Sequence, residues 1–80
     1  MSLPKLSDKD RNWYILKGYE IQEYTDARYW YLNGLWHRED GPAIEYANGT
    51  REWWLNGIWM TEEEHKHAAA ILLDKTKIMT

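Results

Sequence analysis

The densest group of side chains that could do chemistry is the run His37-Arg38-Glu39-Asp40. An imidazole beside a guanidinium and two carboxylates could form a polar binding site at the end of a strand. In the alternative interpretation the run is a turn, in which Asp40 caps backbone N–H groups and Arg38 pairs with Glu39 or Asp40. We favour the turn, because acidic turn residues commonly bond to local backbone, and we keep His37 and Arg38 among the candidate binding residues.

A second polar group, in the C-terminal part of the chain, contains Glu63, His65 and His67. On a helix His65 and His67 do not share a face, whereas Glu63 and His67 are four residues apart and could reach one metal ion. Two ligands fall short of the four that zinc normally takes. The sequence therefore predicts no metal site, and the acidic residues are better explained as charges at a helix start.

The residues needed for nucleophilic catalysis or nucleotide binding do not form a recognisable set. The chain has no cysteine, and its two serines, Ser2 and Ser7, lie in the polar N-terminal segment. No glycine-rich phosphate-binding motif occurs. We therefore expect a protein that is not an enzyme and that needs no cofactor.

Aromatic side chains are the feature with most functional content: the 80 residues include six Trp and six Tyr but no Phe. Trp, Tyr and Arg are the residue types most enriched at the energetic centres of protein interfaces. In the alternative interpretation, every Trp is needed to stabilise a small sheet. The candidate binding residues from this group and its neighbours are Tyr29, Tyr31, Trp36, Tyr46, Glu52 and Trp54.

Charge and hydropathy disfavour several classes of partner. Thirteen acidic and ten basic residues give a net charge of −3, whereas proteins that bind a phosphate backbone usually carry a basic excess. No apolar run reaches the about 18 residues of a transmembrane helix, and the N-terminus lacks the apolar core of a signal peptide. We expect one soluble, cytoplasmic domain over residues 1–80, with no membrane partner and with nucleic acid disfavoured.

An internal repeat indicates the elements that position these side chains. Residues 28–36 (RYWYLNGLW) recur 23 positions later as residues 51–59 (REWWLNGIW). Asn-Gly tolerates the two successive positive φ angles of a type I′ turn, and its aromatic neighbours favour strands, so each copy is predicted to be a β-hairpin. Turn signals about every eight residues, at 33–34, 40–41, 48–49 and 56–57, are typical of an antiparallel meander. The predicted class is mainly β (α+β), with about five to seven short strands and one C-terminal helix docked on the sheet.

Strand alternation divides each repeat between two faces of the predicted sheet. The first, third and fifth residues of each strand point to one face, and the second and fourth residues point to the other. The predicted contact face carries the second set, with the exposed hairpin tips as the alternative contact surface. That set is Tyr29, Tyr31, Glu52 and Trp54.

The two ends of the chain carry different signals. Residues 1–11 are polar and are predicted to be a flexible arm, and the hairpin repeats are predicted over residues 12–60, starting with a degenerate hairpin at 12–24. Thr61 and Glu64 form a capping box, which predicts a helix over about 62–76 within a C-terminal segment 61–77. The predicted apolar stripe of this helix is Ala68, Ala69, Ile71, Leu72 and Leu73. Basic residues lie near its C-terminal end, at Lys75 and Lys77.

Residues 28–50 resemble the MORN-repeat-variant proteins of bacteria and their phages. The matching residues are Trp30, Asn33, Gly34, His37, Arg38, Asp40, Gly41, Pro42, Ala43 and Gly49. The pattern departs from standard MORN repeats, since Gly34 and Gly41 are seven residues apart and the paired glycines that usually follow are missing. Residues 51–60 keep only the first half of the pattern, as a terminal capping repeat does. The resemblance implies serial β-hairpins and a binding or scaffolding role rather than a reaction.

Together these features predict a non-catalytic protein-interaction module. We expect a bacterial or phage accessory protein that binds and modulates, or inhibits, a host protein or a defence complex. Two alternatives stay open. One is single-stranded nucleic-acid binding, with bases stacked on Trp and Tyr and phosphates bound by Arg28, Arg38 and Arg51. The other is self-association through exposed hairpin edges.

Overall fold

In a computed structural model of the chain, residues 3–78 are described, residues 73–78 as helical backbone only. The described residues form two helices and six strands. In chain order these are α1 (Asp8–Leu16), β1 (Tyr19–Glu23), β2 (Ala27–Leu32), β3 (Leu35–Trp36), β4 (Ile44–Tyr46), β5 (Arg51–Leu55), β6 (Ile58–Met60) and α2 (Glu62–Ile78). The predicted class, mainly β with a C-terminal helix, is confirmed.

The strands form one antiparallel sheet in the order β1-β2-β4-β5-β6, with β3 also paired to β2. Strand β2 pairs with three other strands. One of its edges pairs with β1, and the two halves of its other edge pair with different strands. Residues 27–29 pair with β4 and residues 31–32 pair with β3. Every neighbouring pair in the sheet is antiparallel, so the predicted meander of short strands is confirmed.

Two of the Asn-Gly turns have the backbone that the repeat predicts. Asn33 and Gly34 have φ angles of 55° and 77°, and Asn56 and Gly57 have 51° and 76°, as a type I′ hairpin requires. The third Asn-Gly differs, because only Gly49 has a positive φ there, at 93°. The repeat therefore specifies the β2–β3 and β5–β6 hairpins through the same two-residue turn.

Both helices pack on one side of the sheet, which we call the helix face. Its strand side chains include Arg28, Trp30, Leu32, Trp53 and Leu55. The Tyr14 ring of α1 lies 6.0 Å from the Trp30 ring, and His65 of α2 lies 5.0 Å from the Trp53 ring, between centroids. Trp30 is only 1% exposed, so part of the core lies between the sheet and the two helices. Ile44, which is 2% exposed and aligned with Tyr29, is buried on the other side of the sheet.

The prediction of a hairpin over residues 12–24 is wrong in its first half. Residues 8–16 form α1, and only residues 19–23 form a strand. The hydroxyl of Ser7 caps the helix by accepting a bond of 3.1 Å from the N–H of Asp10, and Gly18, with φ of 97°, follows its end. The predicted boundary of the N-terminal arm at residue 11 is therefore also wrong, because the helix begins at Asp8.

Helix α2 begins where its capping box predicts. The N–H of Glu64 donates to the Thr61 hydroxyl at 3.2 Å, and the N–H of Thr61 donates to the Glu64 carboxylate at 2.9 Å. The predicted apolar stripe is only partly correct, since Ala69 is buried but Ile71 is 64% exposed. His65 contributes to the packed face instead. Leu73, Lys75 and Lys77 lie outside the described side chains.

Candidate functional site

Six of the eight predicted binding residues lie together on the side of the sheet opposite the helices. The register aligns Tyr29 with Ile44 and Ile44 with Glu52, so these three side chains form one row across β2, β4 and β5. Tyr31 is aligned with Trp36 in the neighbouring row. We call this surface the aromatic face, defined by Tyr29, Tyr31, Trp36, Tyr46, Glu52 and Trp54.

The rings of the aromatic face form a continuous array. Trp36 is at its centre: its ring centroid lies 4.6 Å from that of Trp54, 6.3 Å from that of Tyr29 and 6.5 Å from that of Tyr31. The contact between Trp36 and Trp54 is edge to face, the arrangement that aromatic pairs favour. All four side chains are half-buried, so each ring is held by its neighbours and still contacts solvent.

Glu52 links two of these aromatic side chains by hydrogen bonds. The indole N–H of Trp54 donates to one carboxylate oxygen at 3.0 Å, and the Tyr46 hydroxyl donates to the other at 3.1 Å. Burial raises the pKa of the Tyr46 hydroxyl, and the hydrogen bond to the anionic Glu52 raises it further. The Glu52 carboxylate therefore holds the Trp54 indole N–H and the Tyr46 hydroxyl in place.

Two aromatic side chains at the rim were missed as site residues. Trp59 is aligned with Trp54 across the β5–β6 hairpin and is 57% exposed. Tyr24 contacts Tyr29, with 5.4 Å between ring centroids, and is 55% exposed. Trp59 could have been found from the sequence, because antiparallel hairpin partners project to the same face.

A groove of about 370 Å³ opens on the aromatic face between the two type I′ hairpins. Tyr31, Trp36 and Trp54 supply its aromatic walls, and Gly34 and Gly57 lie at the turns beside it. Rings and glycine backbone around a shallow opening suit the binding of a flat or extended group. The chemistry that this arrangement offers is stacking and apolar contact.

His37, a predicted binding residue, lies on the helix face and is only 2% exposed. Its Nδ1 accepts a hydrogen bond of 2.9 Å from the backbone N–H of Asn56. Its Nε2 lies 3.0 Å from the Glu39 carboxylate, to which it donates, since Nδ1 is the acceptor. Both ring nitrogens are thus used inside the fold, where they join β3 to the β5–β6 turn. The structure does not place His37 in a binding surface.

Arg38, the other predicted binding residue away from the aromatic face, is half-buried against the helix face. Its guanidinium lies over the Trp30 ring, 3.9 Å from the centroid, and Nε donates to Asp40 at 3.0 Å. The predicted pairing of Arg38 with Asp40 is therefore confirmed. Asp40 accepts from Arg38 and, at 2.6 Å, from the Tyr14 hydroxyl, where the sequence predicted backbone N–H groups.

The loop that contains these residues, 37–43, joins both helices to the sheet. The Arg38 side chain donates to the Tyr14 hydroxyl of α1 at 3.0 Å, and the Arg38 carbonyl oxygen lies 2.5 Å from Nε2 of His65 in α2. A Cβ at Gly41 would lie 2.9 Å from the Arg38 guanidinium carbon, so any other residue there would displace this side chain. The His-Arg-Glu-Asp-Gly sequence is thus a structural junction.

A second cavity, of about 300 Å³, lies between the end of α1 and this loop, and is lined by Trp13, Lys17, Tyr19, Leu32, Glu39 and Asp40. Burial raises the pKa of the Tyr19 hydroxyl to about 12. Within the described part of the chain, no three His, Asp or Glu side chains group closely enough to hold a metal ion. Of the two acidic residues that line the cavity, Asp40 accepts from Arg38 and Glu39 lies against His37.

Comparison of the chain with protein-family models, with curated protein sequences and with solved structures found no match. Among the helices in the described residues, none combines the length and the apolar character needed to cross a membrane.

Proposed function

We propose that this protein is a non-catalytic protein-interaction module that binds its partner through the aromatic face. The observation that supports the proposal is the difference between the two sides of the sheet: the described helices cover one side and leave the aromatic side chains on the other uncovered. Both helices cover the helix face, where Trp30 and His37 are buried. The opposite side carries half-buried rings with no described helix over them. Exposed aromatic patches of this kind mark interaction surfaces.

The aromatic face is also organised in advance of binding. Ring contacts fix Trp36 against Trp54, and hydrogen bonds from Trp54 and Tyr46 to Glu52 fix their orientations. Side chains that are already ordered lose little conformational entropy when a partner arrives. Trp and Tyr in such positions contribute much of the binding energy at protein interfaces.

The resemblance to MORN-repeat-variant proteins supports a bacterial or phage accessory protein. In this proposal the partner is a host protein or a defence complex, whose activity the bound module modulates or inhibits. An aromatic face that covers a functional surface of the partner is sufficient for inhibition. No reaction on the module itself is required.

Single-stranded nucleic-acid binding is disfavoured by the placement of the arginines. Base stacking needs cationic groups beside the rings to meet the phosphates. Arg28 and Arg51 both align with Glu45 and so project to the helix face, away from the rings. Arg38 lies half-buried on the same side, over Trp30. A nucleic-acid strand stacked on the rings of the aromatic face would therefore not reach these three arginines.

Self-association through a sheet edge remains the second candidate, because β6 is an edge strand with exposed apolar side chains. Ile58 is 62% exposed and Trp59 is 57% exposed. An edge of this kind can pair with another copy. Sedimentation of the purified protein at high concentration distinguishes self-association from binding to another protein. A monomeric mass would exclude self-association.

The proposal is tested by capturing partners from a lysate of the encoding organism, or of its bacterial host. Trp59, beside the aromatic face, and Trp13, on α1, are 57% and 50% exposed, so they form a matched pair. We expect wild type and Trp13→Ser to retain the same protein, and Trp59→Ser and Tyr31→Ser to lose it. Circular dichroism confirms that each variant is folded. A captured protein retained equally by all four would contradict the proposal.

A further inference from the structure

The charged side chains of the strands are sorted between the two faces of the sheet. The register places Glu20 beside Tyr31, and Glu52 in the row of Ile44 and Tyr29, so both carboxylates project to the aromatic face. The strand arginines project to the helix face. Among the described strands, the aromatic face therefore carries negative charge only.

The two carboxylates on the aromatic face are held by neutral donors. Glu52 accepts from Trp54 and Tyr46, and Glu20 accepts from the Gln22 side-chain amide at 2.8 Å. Among the described side chains, no Lys, Arg or His forms an ion pair with either carboxylate. These hydrogen bonds orient the carboxylates and leave their negative charge without an internal counter-ion.

On the helix face the carboxylates are arranged differently. Glu23 lies 3.2 Å from the Arg28 guanidinium, and Glu45 lies 3.6 Å from it. Arg11 also pairs with Glu23, which lowers the pKa of that carboxyl. The fold thus neutralises its acidic groups on one side of the sheet and leaves them unpaired on the other. The aromatic face is complementary to a cation.

We propose that the aromatic face binds an arginine side chain of its partner in the groove between the two hairpins. This inference rests on the proposed function of that face in protein binding. The guanidinium stacks on the rings of Trp36 or Trp54, which line the groove. Glu52 does not line the groove, but its carboxylate accepts from the Trp54 indole beside it and supplies the attracting negative charge. Trp is the best ring for a cation, and the planar, weakly hydrated guanidinium stacks better than an ammonium group.

Charge also argues against a second copy of the chain on this face. Two aromatic faces in contact would bring Glu20 and Glu52 of one copy against the same carboxylates of the other. Like charges across an interface oppose association. A basic segment of another protein has the opposite sign and, through arginine, the shape to enter a groove of about 370 Å³.

The test uses four short peptides that are identical except for two positions, occupied by arginine, lysine, glutamine or glutamate. The indole N–H signals of ¹⁵N-labelled protein are followed during titration, with Trp13 on α1 as the internal reference. We expect the arginine peptide to shift the signals of Trp36 and Trp54 and to leave Trp13 unchanged. The lysine peptide should bind at least about threefold more weakly, and the other two should not shift these signals.

The matched variants are Glu52→Gln and Glu63→Gln. Glu52→Gln should preserve the fold, because the amide oxygen can still accept from the Trp54 indole and the amide NH2 can donate to the Tyr46 hydroxyl oxygen, so both contacts are kept. We expect this variant to weaken arginine-peptide binding about threefold to tenfold, the range for one cation contact. Glu63→Gln, exposed on α2, should bind as wild type does.

Three results would overturn the inference: equal shifts with the arginine and glutamate peptides, no shift with any peptide, or unchanged binding by Glu52→Gln. Self-association that Trp54 mediates would assign the face to a second copy and would also overturn it. The capture experiment distinguishes this failure from failure of the proposed function. If Glu52→Gln retains the partner that Tyr31→Ser loses, the aromatic face does bind a protein, and only the proposal that it binds an arginine side chain is wrong.

Discussion

The Arg38 guanidinium lies 3.9 Å from the centroid of the Trp30 ring, stacked between the sheet and helix α1. Trp30 is the largest of the fully buried side chains. The same guanidinium also donates to Asp40, to the carbonyl oxygen of Pro42 and to the Tyr14 hydroxyl. One side chain therefore covers the central tryptophan and connects loop 37–43 to α1.

Replacement of Arg38 by alanine should destabilise the whole domain. The variant loses the stacking contact with Trp30 and leaves the Pro42 carbonyl without its donor, which together cost about 2–3 kcal/mol. Arg51→Ala is the matched control, because Arg51 is exposed on the same face and should change stability by less than about 0.5 kcal/mol. Urea unfolding measures both values. Equal stabilities for the two variants would show that Arg38 is not structural.

The tautomer of His37 is a second prediction. Because Nδ1 accepts from the Asn56 N–H and Nε2 lies against Glu39, the ring should carry its proton on Nε2. Long-range ¹H–¹⁵N correlation spectra of the imidazole distinguish the two neutral tautomers. A proton on Nδ1 would be incompatible with the bond from Asn56 and would remove His37 from the structural junction.

The sheet could be predicted from the sequence because its signals are local and repeated. Asn33-Gly34 and Asn56-Gly57 specify two type I′ turns, and a period of two then assigns every side chain of the hairpins to a face. The aromatic face follows from that alternation. Its grouping of Tyr29, Tyr31, Glu52 and Trp54 was predictable for this reason, although which face the helices cover was not.

Helix α1 was missed because its interior residues favour strands. Trp13, Tyr14 and Ile15 are aromatic or β-branched, and residues of these types are enriched in strands. The sequence does carry signals for the two ends of this helix, which the hairpin prediction left out: Ser7 is its N-cap and Gly18 follows its last turn. Tertiary packing of Tyr14 against Trp30 completes the helix, and contacts between residues so far apart in the chain cannot be read from local pattern.

The roles of His37 and Arg38 were out of reach for a related reason. Their partners include Asn56 and Tyr14, which lie far from them in sequence, and Trp30 on the neighbouring strand. A local pattern shows a polar turn but does not show that the turn contacts both helices. Polar groups in such a position bond to each other rather than to a ligand.

The N-cap of α1 supplies a third prediction. Ser7→Ala removes the acceptor for the Asp10 N–H and should cost about 1 kcal/mol. Ser7→Asp keeps an acceptor at the cap and should preserve stability. Thermal unfolding compares the two, and backbone chemical shifts report whether residues 8–16 are helical. Strand-like shifts over those residues would contradict the fold described here.

Alkaline pH should destabilise the protein through Tyr19. Burial raises the pKa of this hydroxyl to about 12, above its ordinary value of about 10. A group whose folded pKa is raised contributes stability below its unfolded pKa, and that stability is lost as the pH rises through the folded value. The loss should therefore fall between about pH 10 and pH 12.

Urea unfolding at about pH 9 and about pH 11 measures this dependence. Tyr19→Phe has no hydroxyl to ionise, so its stability should fall less between the two conditions than that of wild type. The pKa values of Tyr14 and Tyr46 are also raised by burial, so some dependence persists in the variant. An identical fall in both proteins would show that Tyr19 does not contribute.

The central claim is that the aromatic face contacts another protein. Site-specific photo-crosslinking tests it most directly, with a photo-reactive amino acid in place of Tyr31 in one protein and in place of Trp13 in another. We expect a discrete crosslinked adduct from position 31 and none from position 13. An adduct from position 13 alone, or the same adduct from both positions, would contradict it.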